Sequence, residues 1–421
     1  MRELKSAGRL IGAQRFFMIL SASFMVMVMA LPCALAVDVE VLPAGVRMTQ
    51  AKFGVISGLD QTWKSDGKLY DLGESRSVTF DAATLARVNA QARALVQALD
   101  SFGSHDLGRK LSLGTLNVST TPQVTYMAPV LAYGVTDRLT IGLGIPVVRY
   151  QNQISLSASA SNLDFYRQQL GGLSQKVDQA LSIDLVTESQ RVMAEKGYRP
   201  LQSRDETFIG DIQLAMLYRL PDLGSGNGTW AFMNQFTLTM PTGPKDDPND
   251  LASLNAFGMA SIEESIILAH ALTPRWTILP YASLMLPIPD RTLKRVPKDE
   301  NDSLPDRNSI QEVGRWMGPS ASLGFELRWE VIHRWSLKAG NEIVTKWQDR
   351  YSGTGRVDLL GSNTDSSVLR ARGGLTFSTV EDYKLRKAKV PTRVSLEVSD
   401  TVVGRNIERQ LRTDLTAMLF F

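Results

Sequence analysis

Alternation with a period of two residues dominates this chain. Its closing stretch sets Leu411, Thr413, Leu415, Ala417, Leu419 and Phe421 on one face, with Gln410, Arg412, Asp414 and Thr416 on the other. That is the pattern of a strand with one apolar side. A soluble sheet rarely ends on an exposed Phe, whereas the closing strand of a transmembrane barrel is apolar toward lipid and polar toward the lumen. Alternation and turn residues together predict strands near 45–57, 119–134, 138–151, 206–219, 229–242, 256–271, 276–289, 314–331, 335–351, 366–380, 391–404 and 409–421. About twelve strands, an even number, predict an all-β fold: a transmembrane up-and-down antiparallel β-barrel.

Short turns of similar chemistry recur between these runs. Tyr133-Gly134-Val135-Thr136-Asp137-Arg138-Leu139-Thr140, Ala271-Leu272-Thr273-Pro274-Arg275-Trp276-Thr277 and Val331-Ile332-His333-Arg334-Trp335-Ser336 each separate two alternating segments. If both ends of the barrel domain lie on the periplasmic side, the short connections fall there. The long ones, 58–118, 152–205, 290–313 and 352–365, fall mostly outside. The same layout puts Tyr133, Tyr218, Trp230, Trp276, Trp329 and Trp335 at periplasmic strand ends, and Tyr150, Trp316, Trp347 and Tyr351 at outer ends. These are candidate membrane-interface aromatics, because amphipathic rings favour the headgroup region.

Two outer connections read as helical insertions, near 81–100 and 162–196. After Asp81, a good N-cap, Leu85, Val88, Ala92, Leu95 and Leu99 recur at helical spacing. Leu163, Tyr166, Leu170, Leu173, Val177 and Leu181 do the same, with Gly171-Gly172 expected to bend or divide the second segment. Their apolar stripes pack either against each other and the loop bases or over the mouth of the barrel.

Residues 1–36 read as a cleaved signal peptide. Arg2, Lys5, Arg9 and Arg15 precede an apolar run from Phe16 to Leu31, then Ala34-Leu35-Ala36, so a mature barrel domain would span 37–421. The run is short for a membrane span of about 20 residues. Cys33 leaves with the signal on this reading, and the cysteine-free remainder suits an oxidising periplasm. Removing the signal takes four basic residues and one acidic residue from 46 and 43, leaving 42 of each. A neutral chain lends no support to a nucleic-acid partner. Mean hydropathy of −0.09 excludes a helical membrane protein and fits a barrel whose apolar and polar positions cancel in any window.

The inward register selects candidate lumen-lining residues: Asp211, Gln213, Glu326, Arg328, Lys338, Glu342, Lys346, Arg370, Arg372, Arg393, Glu397, Arg412 and Asp414. Both charge signs occur on neighbouring strands, so cross-strand ion pairs that stiffen the wall are one reading. The other is a cationic strip of Arg370, Arg372, Arg393 and Arg412 that favours anionic solutes. A one-residue slip would turn those arginines to lipid at roughly 2–4 kcal/mol each near the midplane, which fixes the register.

Little points to catalysis. His105, His270 and His333 are the histidines, and none is paired with a serine at the outer-leaflet level a phospholipase needs. No metal-ligand spacing, phosphate-binding loop or nucleophile elbow stands out. Asp246, Asp247 and Asp250 could hold a hard cation, although an exposed solvated loop is the simpler reading. The expectation is a protein that is not an enzyme, with no cofactor and no metal.

The Tyr133 to Thr140 hairpin, with Gly142, Gly144 and Pro146 after it, resembles the outer-membrane channel family of the meta-pathway of phenol degradation, distantly like long-chain fatty-acid transporters. Leu42-Pro43-Ala44-Gly45 and Asp66-Gly67-Lys68 are similar too. The resemblance implies passive uptake of small hydrophobic or aromatic solutes across the outer membrane of a Gram-negative cell. The implied partners are outer-membrane lipid, a small-molecule solute and the barrel-assembly machinery, which would read the terminal Phe421. The residues leave open a structural or adhesive barrel with a closed lumen, a porin for small anionic or polar solutes, and a lipid-active enzyme.

Overall fold

The computed structural model describes residues 41–73, 77–84, 96, 97, 99, 100, 107–170, 182, 184–221, 230–253, 257–300, 302 and 304–421. The signal-peptide segment, His105 and most of the first helical insertion (Leu85, Val88, Ala92 and Leu95) lie outside them, as do Leu173, Val177 and Leu181 of the second. Alternating segments need partners for every backbone group, and here each finds two. The wall strands are β1 (Arg47–Ser57), β2 (Ser112–Thr136), β3 (Leu139–Gly144 continued by Val147–Ser159) and β4 (Arg204–Ile209 continued by Ile212–Arg219). They continue as β5 (Trp230–Met240), β6 (Ser261–Thr273), β7 (Trp276–Pro287), β8 (Ser320–Ile332), β9 (Trp335–Lys346), β10 (Ser366–Ser378), β11 (Thr392–Arg405) and β12 (Leu411–Phe420).

Neighbours in sequence are neighbours in the sheet. β1 also pairs with β12, so that Phe53 faces Met127 on one side and Leu415 on the other, and the sheet closes into a twelve-stranded antiparallel barrel. Closure leaves no exposed sheet edge. Phe421 exchanges backbone hydrogen bonds with Arg47 at the seam, at 2.7 and 2.9 Å. The rim carrying Phe421 is called the lower rim.

At the lower rim the repeated turn chemistry has a shared cause. The Thr136 hydroxyl accepts the Arg138 amide and the Thr273 hydroxyl accepts those of Arg275 and Trp276, all at 3.1–3.2 Å. In each of the three hairpins the register slips just before the turn, at Val135, Leu272 and Val331. Such bulges tighten the local twist. The third turn has no threonine; His333 and Arg334 instead reach Asp382, on the short helix α1 (Val380–Lys384) of the next lower connection.

Outward positions are apolar and bare: Leu131, Leu323, Ile343, Leu396 and Leu415 all lie exposed on the wall. Below them the predicted aromatics gather. Trp276 stacks on Trp329 at 5.3 Å, Trp230 on His270 at 4.5 Å, Trp335 lies against Phe377, and Tyr133 and Tyr218 are exposed beside them. Near the upper rim Trp316 and Trp347 are exposed. Tyr150 corrects its prediction: even-numbered residues of β3 point inward, and its ring packs with Ile56, Val124 and Val148.

The eighth predicted strand also needs correction. Its first residues, 314–316, belong instead to a strand Ile310–Trp316 that leaves the wall for a small three-stranded sheet with Asp290–Arg295 and Arg350–Ser352. Gly318-Pro319 makes the break: the Gly318 amide bonds the Asp349 carboxylate at 2.6 Å, and a Cβ on Gly318 would sit 1.8 Å from the Trp347 carbonyl. β2 and β3 run further up than predicted and project as a hairpin, because beyond the predicted ends polar residues still pair, Asn117 opposite Ser157.

The upper connections pack on themselves and on that hairpin. The Asp81 carboxylate accepts the Thr84 amide at 2.8 Å, as its capping role predicts. Leu99, Leu163 and Tyr166 share one buried cluster with Ala82, Val96 and Leu111, so the two insertions pack against each other and the loop bases. A second helix of that region, α2 (Leu185–Glu195), sends Met193 into a cluster with Val118, Tyr198, Leu201 and Ala252. Arg295 ties the cap together, donating to the carbonyls of Lys196, Gly197, Pro248 and Pro305 and to the Asn249 side chain at 2.7–2.9 Å. Its guanidinium lies 3.7 Å over the Tyr198 ring. Burial there pushes the Tyr198 phenol up to about 12. The aspartates read as a solvated loop are ion-paired instead: Asp246 with Lys294, Asp247 with Arg199, and Asp250, itself buried, with Arg204.

Candidate functional site

The inward faces of the wall divide into two arcs of different chemistry. From β2 to β5, below Asp211 at the break in β4 and above Arg219 at its lower end, the inward side chains carry no charge. They include Val124, Ala128, Val130, Thr140, Val148, Gln213, Ala215, Met233 and Thr237, all buried. From β8 through β12 to β1 nearly every level carries a charge.

On the charged arc, pairing across strands sets the partners. Asp414 lies level with Gly54 on one side and Glu397 on the other. It takes Lys52 at 3.3 Å and the Arg412 Nε at 2.8 Å. Glu397 pairs with Lys338, which also lies 4.0 Å from Glu326, and Glu326 takes Arg328 at 3.2 Å. Arg370 pairs with Glu342 at 3.4 Å. Lys346 and Asp349, fully buried at the upper end of β9, form a separate pair. In a confined interior each of these charges would be costly alone, and the partners offset that cost.

Two tyrosines bracket the arc, and each lies across a glycine. Tyr126 on β2 is level with Gly54 on β1 and, one strand further, Asp414 on β12. A Cβ on Gly54 would come 2.2 Å from the Tyr126 ring, so only glycine lets the ring lie flat along the wall. The Tyr126 hydroxyl then donates to Asp414 and accepts from Arg412. On the other flank Tyr281 on β7 is level with Gly324 on β8 and Glu342 on β9. A Cβ on Gly324 would come 2.3 Å from the Tyr281 hydroxyl. Arg372 donates to that hydroxyl and holds its guanidinium 4.8 Å from the ring centroid.

The arrangement brings together Glu326, Arg328, Lys338, Glu342, Arg370, Arg372, Glu397, Arg412 and Asp414 from the residues the register selects. Arg393 faces inward too but near the lower end of β11, level with Met418. Asp211 stands apart: its carboxylate accepts the amides of Gly243 and Gly258 at 2.7 and 3.0 Å and anchors the upper connection between β5 and β6. The four arginines do not form an open strip, since Arg370 and Arg412 are held by carboxylates.

Sequence reasoning missed Lys52, Tyr126 and Tyr281. For Lys52 a signal existed, because Ala51, Phe53 and Val55 set the outward parity of β1 and leave Lys52 inward. No local signal marks the tyrosines, whose glycine partners lie on other strands.

No protein-family model and no curated protein matches the chain. Among solved structures, an outer membrane channel from Pseudomonas putida F1 is similar at 12% identity and a TM-score of 0.51, over 91% of this chain and 98% of that one. A monoaromatic hydrocarbon channel matches at 10% identity and 0.32, over 90% and 89%. A toluene transporter from Ralstonia pickettii matches at 9% and 0.33, over 90% of each chain. The first likeness establishes a shared fold; the scores of the other two add nothing to it.

Proposed function

We propose that this protein is an outer-membrane channel for passive, energy-independent uptake of small hydrophobic or aromatic solutes. The observation that carries the reading is a closed barrel, apolar outside, whose interior sets an uncharged arc against an ion-paired one. A bare apolar exterior requires hydrocarbon around it. An amphiphilic interior gives a small solute an apolar surface and a polar one along the same path. The similar channel from Pseudomonas putida F1 supports the architecture.

In this reading the lower rim is periplasmic, and Tyr133, Tyr218, Trp230, Trp276, Trp329 and Trp335 sit in the inner interface. Asp211, Glu326, Arg328, Lys338, Glu342, Arg370, Arg372, Arg393, Glu397, Arg412 and Asp414 line or support the path. The N-terminal signal is removed on export, and Phe421 is the residue read by the assembly machinery. The chain performs no chemistry on the solute and uses no cofactor.

The test is uptake by a deletion strain and its complemented derivative, using toluene, benzoate, alkanes and fatty acids, with oligosaccharides and nucleosides as polar contrast. Faster entry of the apolar and aromatic members in complemented cells is the expected result. Equal entry in both strains for every solute would sink the channel reading.

A further inference from the structure

The two tyrosine rows have one design and differ at one place. In the Tyr126 row the arginine, Arg412, holds both the tyrosine and a carboxylate, Asp414. In the Tyr281 row the equivalent carboxylate, Glu342, pairs with Arg370 and also faces Tyr281, while Arg372 bonds the Tyr281 hydroxyl and makes no direct ion pair of its own among the described residues. Its Nε is buried with no hydrogen-bond partner. Lys52, Arg328, Lys338, Arg370 and Arg412 each have a carboxylate within 4.0 Å, and among the described residues Arg372 has none. The residues level with it, Gly340 and Ser399, are small and carry no charge.

Tyr281 also belongs to the other arc. It shares a buried cluster with Met233 and Ile267, the inward residues level with it on β5 and β6. Its ring therefore lies on an apolar wall while its oxygen serves an arginine that no carboxylate of the described residues reaches within 4.0 Å, though Glu326, Glu342 and Glu397 lie near it. A small aromatic acid presents the same two features in the same order, a ring and an oxygen, and adds a negative charge in direct contact. A carboxylate holds a guanidinium more strongly than a phenol does, and its two oxygens match the guanidinium fork.

We propose that Arg372 is the docking point for the carboxylate of a small aromatic acid, which exchanges with Tyr281 and lays its ring on Met233 and Ile267. The proposal rests on the channel reading and names the solute class that reading leaves general. Tyr281 then serves as a resident stand-in for the solute, and Tyr126 does not, because Arg412 keeps Asp414 whether or not the phenol leaves.

The experiment measures uptake of labelled benzoate and toluene in deletion cells carrying the wild-type chain, Arg372→Gln, Arg372→Lys or Tyr281→Phe. In parallel, benzoate binding to each purified barrel is followed by saturation-transfer NMR. Arg372→Gln is expected to lower the benzoate-to-toluene ratio by about tenfold or more and to abolish the benzoate signal. Tyr281→Phe, which removes the competing oxygen, is expected to raise the ratio, and Arg372→Lys to keep part of it. An unchanged ratio and an unchanged benzoate signal in a folded Arg372→Gln barrel would overturn the proposal. If that variant fails to fold, a benzoate signal unaltered by both Tyr281→Phe and Arg372→Lys overturns it equally. Toluene entry without benzoate entry or binding rejects the aromatic-acid site alone. Specific benzoate binding with no uptake of either solute retains the site and rejects the channel.

Discussion

The charged and uncharged arcs of the same barrel solve one problem by different means. Both must fill an interior that has no alternative packing partner. The uncharged arc does it with side chains such as Val130, Ala128 and Met233, which need only shape. The charged arc does it with Lys52, Arg412 and Asp414, each of which is tolerable only while the others are present. The lesson is that the first arc tolerates local change and the second fails collectively.

That contrast can be broken most severely at Asp414. Asp414→Ala leaves Lys52, Arg412 and the Tyr126 hydroxyl without their shared acceptor, at a cost of about 3–5 kcal/mol in urea unfolding followed by tryptophan fluorescence. Replacing Lys52 and Arg412 with Met in the same chain should restore a large part of that loss, since an apolar group of similar shape is often as stable as a buried ion pair. Failure of the triple variant to recover would show that the charges supply more than mutual compensation.

Gly54→Ala is the next largest effect. Its Cβ falls inside the Tyr126 ring, so the ring must leave Asp414, and the expected loss is about 3 kcal/mol. On the uncharged arc, Met233→Ala should cost about 2–4 kcal/mol through the cavity alone. It should leave the salt dependence of unfolding as in the parent, whereas Asp414→Ala should alter it. Equal salt dependence in the two variants would erase the distinction between the arcs.

The smallest effect lies at the lower rim, outside both arcs. The hydrogen bond from His333, with Arg334 beside it, holds the Asp382 carboxyl below the usual carboxylate range. A depressed acid contributes its stability fully above the ordinary carboxylate range and loses it as pH falls through that range toward its own lower value. Unfolding midpoints of the parent should therefore fall toward those of Asp382→Asn as the solution is acidified, and the two should differ most near neutrality. Parallel pH profiles would remove the latch.

Much of the wall is legible from local pattern. Ala417, Leu419 and Phe421 against Thr416 and Asp414 already state which side faces hydrocarbon, because a strand alternates by geometry whatever it pairs with. The Thr136 and Thr273 turns are likewise local, a hydroxyl capping amides two or three residues on. The start of β8 is harder: alternation continues through Met317 and Pro319, but the chain joins the wall only after Gly318 has passed under Trp347.

By itself, then, the order of residues determined an up-and-down barrel of about twelve strands and, for many wall positions, which side chains point inward, since these follow from parity and turn chemistry. Only the closed barrel decided that Tyr126 should meet Gly54 and Tyr281 meet Gly324, and that Glu342 should choose Arg370 and leave Arg372 to a phenol. The physical reason is that parity says which way a side chain points, while register between strands far apart in sequence decides what it finds there.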